Sequence, residues 1–282
     1  MIRNLFVSFF KSILKYLQPY KYVKVEVSQI VYGKTLEGKN IIVTGGSRGL
    51  GFSMAKKFVS EGANVLISGR NIDSLKKAKE ELGDKCHYIE YDVTEIANIE
   101  HFLSKSCSLF KGEISCLVCN AGISNHESDI LGVTEKGFDD QFNTNLRSVY
   151  FLCKAFLKTK LNERNTEANI LITSSETGDM CYDIPYGMTK AGLNTLTRAL
   201  SRRYYSKGIR VNAIAPGVTL SDMTKYAQSD DGNMARKCAA GRVFMPEEVA
   251  EVACFLLSDA SKCISGEIIH TNAGNHLRAY WD

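Results

Sequence analysis

The sequence predicts an α/β protein: a single doubly wound domain in which about seven parallel strands are flanked by helices. Three observations carry that prediction. Short apolar runs recur along the chain from Gly38 onward. Amphipathic stretches with helical spacing separate them. The first apolar run passes through a cluster of glycines into a helical stretch, the kind of join at which open α/β sheets bind phosphate groups.

The runs NIIVT (40–44), NVLIS (64–68), HYIEY (87–91), ISCLVCN (114–120), NILITS (169–174), RVNAI (210–214) and EIIHT (267–271) read as strands. Most are apolar on both faces, as strands of a parallel sheet covered by helices must be. Helical stretches include FSMAKKFVSEG (52–62), IDSLKKAKEELG (72–83) and EEVAEVACFLLS (247–258). Gly62 and Gly83 supply stops at positive φ. No internal repeat or Pro- or Ser-rich linker divides the alternation, so residues 38–282 form one domain. Residues 1–37 stand outside it as an N-terminal extension.

Composition narrows the function classes. A chain of 282 residues with 44% hydrophobic and 23% charged residues is an ordinary soluble protein. A net charge of +4 is too small to argue for nucleic acid. Nine cysteines, an odd number without a regular framework, favour reduced thiols and a cytoplasmic location. The CxxC at Cys116 and Cys119 lies inside a strand pattern and reads as two packed thiols. The five histidines show no ligand spacing, so no metal site is expected.

Two patterns carry chemistry. In TGGSRGLG, residues 44–51, Gly45, Gly49 and Gly51 let the backbone turn tightly and approach a pyrophosphate at a helix N-terminus; Ser47, Arg48 and Leu50 complete the loop. In YGMTK, Tyr186 and Lys190 stand one helical turn apart, a spacing at which an ammonium would lower the pKa of a phenol. Tyr20 and Lys24 have the same spacing without any companion motif, so the pair alone decides nothing.

Taken in order, TGGSRGLG, CNAG (119–122), NTNL around Asn145, Ser175 after a strand, YGMTK and APG (215–217) resemble the short-chain dehydrogenase/reductase family in its single-domain, Rossmann-type branch. The resemblance covers about residues 38–275. Its closest look, including the C-terminal SGEIIHTNAG, is to 3-oxoacyl-carrier-protein reductases. It implies an oxidoreductase interconverting a ketone and a secondary alcohol, with Tyr186 as proton donor and acceptor. Lys190 would hold the nicotinamide ribose, Ser175 the carbonyl oxygen, and Asn145 a proton-relaying water. Asp92 and Val93 would meet the adenine, although Asp92 could equally cap the helix beginning at Glu95. Asn120, Ala121 and Gly122 would pass the adenine ribose, and Pro216, Gly217, Val218 and Ser221 the carboxamide. Two departures stand out. Cys119 replaces the first asparagine of the usual NNAG, and the short segment before Tyr186 makes Ser174 a rival to Ser175. We prefer Ser175, because Gly178 completes the serine-x-x-glycine turn.

Cofactor choice turns on the end of the second strand, VLISGRN. An NAD site usually has a carboxylate there for the ribose hydroxyls, but Gly69 occupies the position and Arg70 follows. Arg70 and Arg48 together favour the 2′-phosphate of NADP(H) over NAD(H). The resemblance implies a small carbonyl or alcohol substrate, which residues 124–137, 176–185 and 222–242 would grip. An acyl carrier protein could meet Lys207 and Arg164; a sugar, a steroid or another lipid-like alcohol is the alternative substrate, and a non-catalytic NADP-binding scaffold the alternative role. The resemblance also implies a homo-oligomer, a tetramer paired through residues 145–159 and 186–205.

The N-terminal MIRNLFVSFFKSILKYLQPYKYVKV has its own character. Ile2, Leu5, Phe6, Phe9, Ile13, Tyr16 and Leu17 fall on one helical stripe, and no acidic residue precedes Glu26. Such a helix, residues 1–18, either lies in an anionic membrane interface or packs its stripe on protein. Lys11 interrupts the apolar run far short of a span, and no small-residue cleavage site follows.

Overall fold

The computed structural model describes residues 33–221, 223–224 and 239–277. Among them seven strands form one sheet: β1 (Asn40–Thr44), β2 (Asn64–Gly69), β3 (Cys86–Glu90), β4 (Cys116–Cys119), β5 (Ala168–Thr173), β6 (Ile209–Pro216) and β7 (Ile268–Thr271). Their order is β3-β2-β1-β4-β5-β6-β7, and each neighbouring pair is parallel. These are the seven apolar runs of the sequence, coincident at β1 and displaced by one or two residues at an end of the others. The expected doubly wound sheet is therefore present.

Strand alternation sends successive side chains to opposite faces. Ile41, Val43, Val65 and Ile67 pack with Met54 and Phe58 of α1 (Gly49–Ser60), Leu75 of α2 (Ile72–Leu82) and Val249 and Leu257 of α7 (Pro246–Leu257). Ile42, Leu66, Leu117 and Ile172 face the other layer, where Phe102 of α3 (Ile99–Phe110), Phe156 of α5 (Ser148–Asn162) and Leu193 of α6 (Pro185–Tyr204) close the core. A short helix, α4 (Glu135–Phe142), leads into α5 through a π-helical turn at Asn143–Arg147. The same alternation separates the CxxC pair: Cys116 enters one layer and Cys119 the other, so their thiols face away from each other. Cys119 meets Cys153 instead, with the sulfurs 3.9 Å apart.

Helix ends follow the local chemistry. Gly62 and Gly83 both adopt positive φ, 95° and 82°, where the chain leaves α1 and α2. The Asn71 side chain caps α2 by accepting the Ser74 amide at 2.8 Å. Leu36 is fully buried in the first core layer, and the Glu61 carboxylate receives the amides of Gly33 and Thr35 at 2.8 and 3.2 Å. The amphipathic stripe of residues 2–17 lies outside the described residues, as does most of the 222–242 substrate stretch. No helix among the described residues is long and apolar enough to cross a membrane.

The strand order reverses between β1 and β4. Connections leave to opposite sides there, opening a crevice at the carboxyl ends of both strands, the general ligand position of such sheets. The glycine loop follows β1 and CNAG follows β4, so topology alone brings these two motifs together.

Candidate active site

The crevice begins with the turn after β1. Gly45 and Gly49 have φ of 67° and 54°, values at which a side chain is strained. Gly51 is required for a different reason: a Cβ there would sit 2.2 Å from the Gly45 carbonyl oxygen. Gly46 was not singled out in the sequence, yet its Cβ would lie 2.6 Å from the Ile67 side chain. The loop thus hugs β2 and delivers the amino end of α1 to the crevice, where backbone N–H groups and the helix dipole favour an anion. Arg48 opens α1 and is exposed.

Asn120 fastens the floor. Its side-chain amide donates to the carbonyls of Thr44 and Gly45 at 3.1 and 3.2 Å, while the Thr44 hydroxyl receives the amides of Asn120 and Ala121. The second residue of CNAG therefore braces the glycine loop, and the cysteine in first place packs in the core without loss to this brace. Asp92 accepts the amide and hydroxyl of Thr94 at 2.9 and 2.8 Å. It closes a local turn after β3, four residues before the short 3-10 turn that begins at Ile96. Val93 follows it and packs at the edge of the second core layer.

At the end of β2, a Cβ on Gly69 would have the Ser47 hydroxyl as its nearest contact at 3.7 Å. Arg70 is exposed. On the far side of the crevice Pro216 ends β6, and Gly217 passes so close to Asn272 that a Cβ would fall 2.8 Å from it. Val218 packs with Val243, and Ser221 lies against the glycine loop, its Cβ 3.7 Å from where one on Gly49 would be.

The four residues with chemistry converge from three elements. Asn145 sits in the π-helical turn, a feature frequent at functional sites. Its side chain bonds both the amide and the carbonyl of Ile123 at 2.8 Å, tying α5 to the CNAG strand end. Lys190 is buried, and its ammonium donates to the Thr173 carbonyl at 2.8 Å and lies 5.5 Å from the Tyr186 ring centroid. Ser175 begins the turn after β5, its hydroxyl receiving the Thr177 amide at 3.3 Å. Gly178 completes that turn, because a Cβ there would be 2.9 Å from Lys190 backbone. The neighbouring Ser174 is committed elsewhere: its hydroxyl bonds Asn194 Oδ1 at 2.6 Å and the Lys190 carbonyl at 3.3 Å within the core.

One electrostatic expectation is corrected. The Tyr186 phenol is not brought down toward neutrality by Lys190; burial holds it above its ordinary value of 10, the Ser175 hydroxyl opposes this, and the Glu176 carboxylate adds to the rise. Lys190 responds in the complementary direction, with burial lowering its pKa to about 8. The ammonium is aimed at the Thr173 carbonyl, so helical spacing alone overstated its effect on the phenol.

Comparison with known proteins bears on the fold and the family. The enoyl-(acyl carrier protein) reductase family model matches residues 45–276. The 3-oxoacyl-[acyl-carrier-protein] reductase of Chlamydia trachomatis is 36% identical over 250 residues, covering 85% of this chain and 98% of the relative. The enzyme of the same name from Escherichia coli is 34% identical over 245 residues, covering 86% and 98%. Among solved structures, a short-chain type dehydrogenase/reductase from Mycobacterium ulcerans superposes with a TM-score of 0.79 at 26% identity, covering 86% of this chain and 92% of that one. The chain belongs to the short-chain dehydrogenase/reductase family of oxidoreductases.

Proposed function

We propose that this protein is an NADP(H)-dependent reductase of a ketone to a secondary alcohol, with a 3-oxoacyl thioester as the substrate class its relatives' names suggest. The observation that carries the reading is the convergence of Ser175, Tyr186 and Lys190 on the CNAG turn, where a Cβ on Gly122 would lie 3.8 Å from Lys190 Nζ, while the same turn abuts the glycine cradle, where a Cβ on Gly45 would lie 3.0 Å from Ala121 Cα. That cradle fits a dinucleotide: the amino end of α1 is held open by Gly45 and Gly49, and the position of the usual ribose acid is Gly69, flanked by Ser47 and Arg70. Arg70 and Arg48 supply charge for a 2′-phosphate.

NADPH, when bound, supplies hydride to the carbonyl carbon. The protein's own residues do the rest. Ser175 and Tyr186 hold the carbonyl oxygen, and Tyr186 delivers the proton to it as charge develops there. A phenol kept protonated by burial is suited to donate. Lys190, its ammonium held by the Thr173 carbonyl, would hold the nicotinamide ribose and would stabilise the negative charge left on Tyr186. Asn145 keeps the strand end beneath the site in place. An acyl carrier protein as the donor of the thioester, a cytoplasmic location and a tetramer follow the same reading.

The test is a panel of 3-oxoacyl thioesters, simple ketones, sugars and steroids incubated with NADPH or NADH and followed at the nicotinamide absorbance. Turnover of a 3-oxoacyl thioester with a clear preference for NADPH is expected. Tyr186→Phe should retain NADPH binding and lose turnover; retention of more than about a tenth of wild-type kcat/KM, a loss below ~1.4 kcal/mol, would contradict the acid role.

A further inference from the structure

A carboxylate stands one residue after the candidate serine. Glu176 is buried at 7% exposure, and its Oε2 accepts the side-chain amides of Asn272 at 2.9 Å and Asn275 at 3.0 Å. The same oxygen would lie 3.2 Å from a Cβ on Gly217. One side chain therefore bridges three segments: the Ser175 turn, the Pro216–Gly217 turn, and the chain leaving β7. None of these contacts is local in sequence; Asn272 and Asn275 lie 96 and 99 residues away.

We propose that Glu176 is a positioning residue of this site, holding the serine turn against the Pro216–Gly217 turn through Asn272 and Asn275 and setting its carboxylate one residue from the serine whose hydroxyl bonds the Tyr186 phenol. The inference rests on the reductase reading for its consequence, not for its geometry. A carboxylate buried among amides, with little water to screen it, acts on a nearby acid through a low dielectric. It disfavours phenolate and so favours the donor form of Tyr186.

Other charges face the same region. On its own helix Tyr186 has Lys190, whose ammonium is turned to the Thr173 carbonyl. From the serine turn come Ser175, Glu176 and Asp179. From the β7 side come His270, paired with Asp179 at 2.8 Å, and His276, stacked on His270 at 3.6 Å and bonded to Asn272. Burial and the neighbouring His270 lower the His276 pKa, with Asp179 and Glu176 opposing.

The experiment compares phenol ionisation by ultraviolet difference titration: wild type minus Tyr186→Phe, against Glu176→Gln minus the Glu176→Gln, Tyr186→Phe double variant. The expected result is a Tyr186 ionisation moved to lower pH by roughly half a unit or more in the glutamine background. Coincident titrations would overturn the proposal. In steady-state reduction of a ketone, the alkaline fall of kcat/KM should move the same way in Glu176→Gln and the opposite way in Ser175→Ala. Asn275→Ala, which keeps the charge and removes one bridge, should lower kcat by about tenfold with the alkaline limb unmoved and the KM for NADPH within about twofold of wild type. An unmoved kcat in Asn275→Ala would overturn the bridging part. If wild type reduces no ketone, the reductase reading fails, while the ultraviolet titration still decides the role of Glu176.

Discussion

Lys190 pays for its place at the site with water. Burial lowers its pKa from 10.5 to about 8, an electrostatic cost on the order of 3 kcal/mol. Below pH 8 the lysine is charged whether folded or unfolded, so the whole cost is present. As pH rises from 8 toward 10.5 the folded protein has lost the proton that the unfolded chain still binds, and stability rises by relief of that cost. Lys190→Met should therefore raise the cofactor-free melting temperature at pH 7, by an amount that shrinks toward pH 10, while lowering kcat/KM at least about a hundredfold. Calorimetry at the two pH values checks it; a lower melting temperature at pH 7 would mean that the bond to the Thr173 carbonyl outweighs desolvation. Arg70 gives a second residue-scale prediction. Arg70→Ala should weaken NADPH by about tenfold or more and leave NADH nearly unchanged, because only NADPH carries the 2′-phosphate that a guanidinium binds as a fork. Equal losses in fluorescence titrations with the two cofactors would remove the argument for NADP(H).

At the scale of the element, the loop between β1 and α1 behaves as one rigid part. Gly46 abuts Ile67, Gly51 abuts the Gly45 carbonyl, and Asn120 fastens that carbonyl from β4. Gly51→Ala should push the amino end of α1 off the loop, at a strain cost of about 1–3 kcal/mol. NADPH and NADH should then weaken together by about tenfold or more, unlike the selective loss in Arg70→Ala. Binding of either cofactor at wild-type affinity would show that the loop yields. The repeating strand-and-helix rhythm made this part legible, since Gly45, Gly49 and Gly51 follow a run that could only be a strand. Gly46 was not legible, because its constraint is a contact with Ile67 on another strand. Asn120 and Thr44 were equally hidden as partners, being 76 residues apart.

For the whole molecule, the exposed apolar side chains fall partly on α5 and α6, with Tyr150 51%, Met188 44% and Leu161 40% exposed. Covering such surfaces with a second copy is the expected use, and we predict a tetramer at micromolar concentration in light scattering; a monomer would contradict it. The N-terminal segment belongs to the same experiment. Full-length protein should co-sediment with anionic vesicles at low salt, whereas protein lacking residues 1–25 should stay in solution as the same oligomer with NADPH binding intact. A truncated protein that dissociates would assign the apolar stripe to subunit packing.

The sequence by itself determined the architecture and nominated the residues of the candidate site. Seven apolar runs separated by helical spacing leave little choice but a parallel sheet, and the order of motifs placed Ser175, Tyr186 and Lys190 in one family pattern. Those signals are local, set by periodicity, turn chemistry and spacing along a single helix. Tertiary structure decided what depends on distant partners. It committed Ser174 to Asn194 in the core and left Ser175 on the crevice side, because adjacent residues at a strand end point opposite ways. It turned Lys190 toward the Thr173 carbonyl and buried the phenol, which holds its pKa above the ordinary value where helical spacing had suggested the reverse. It also gave Glu176 its partners at Asn272 and Asn275, a contact no pattern announces, since the energy of a buried charge is set by whatever the fold brings within reach of it.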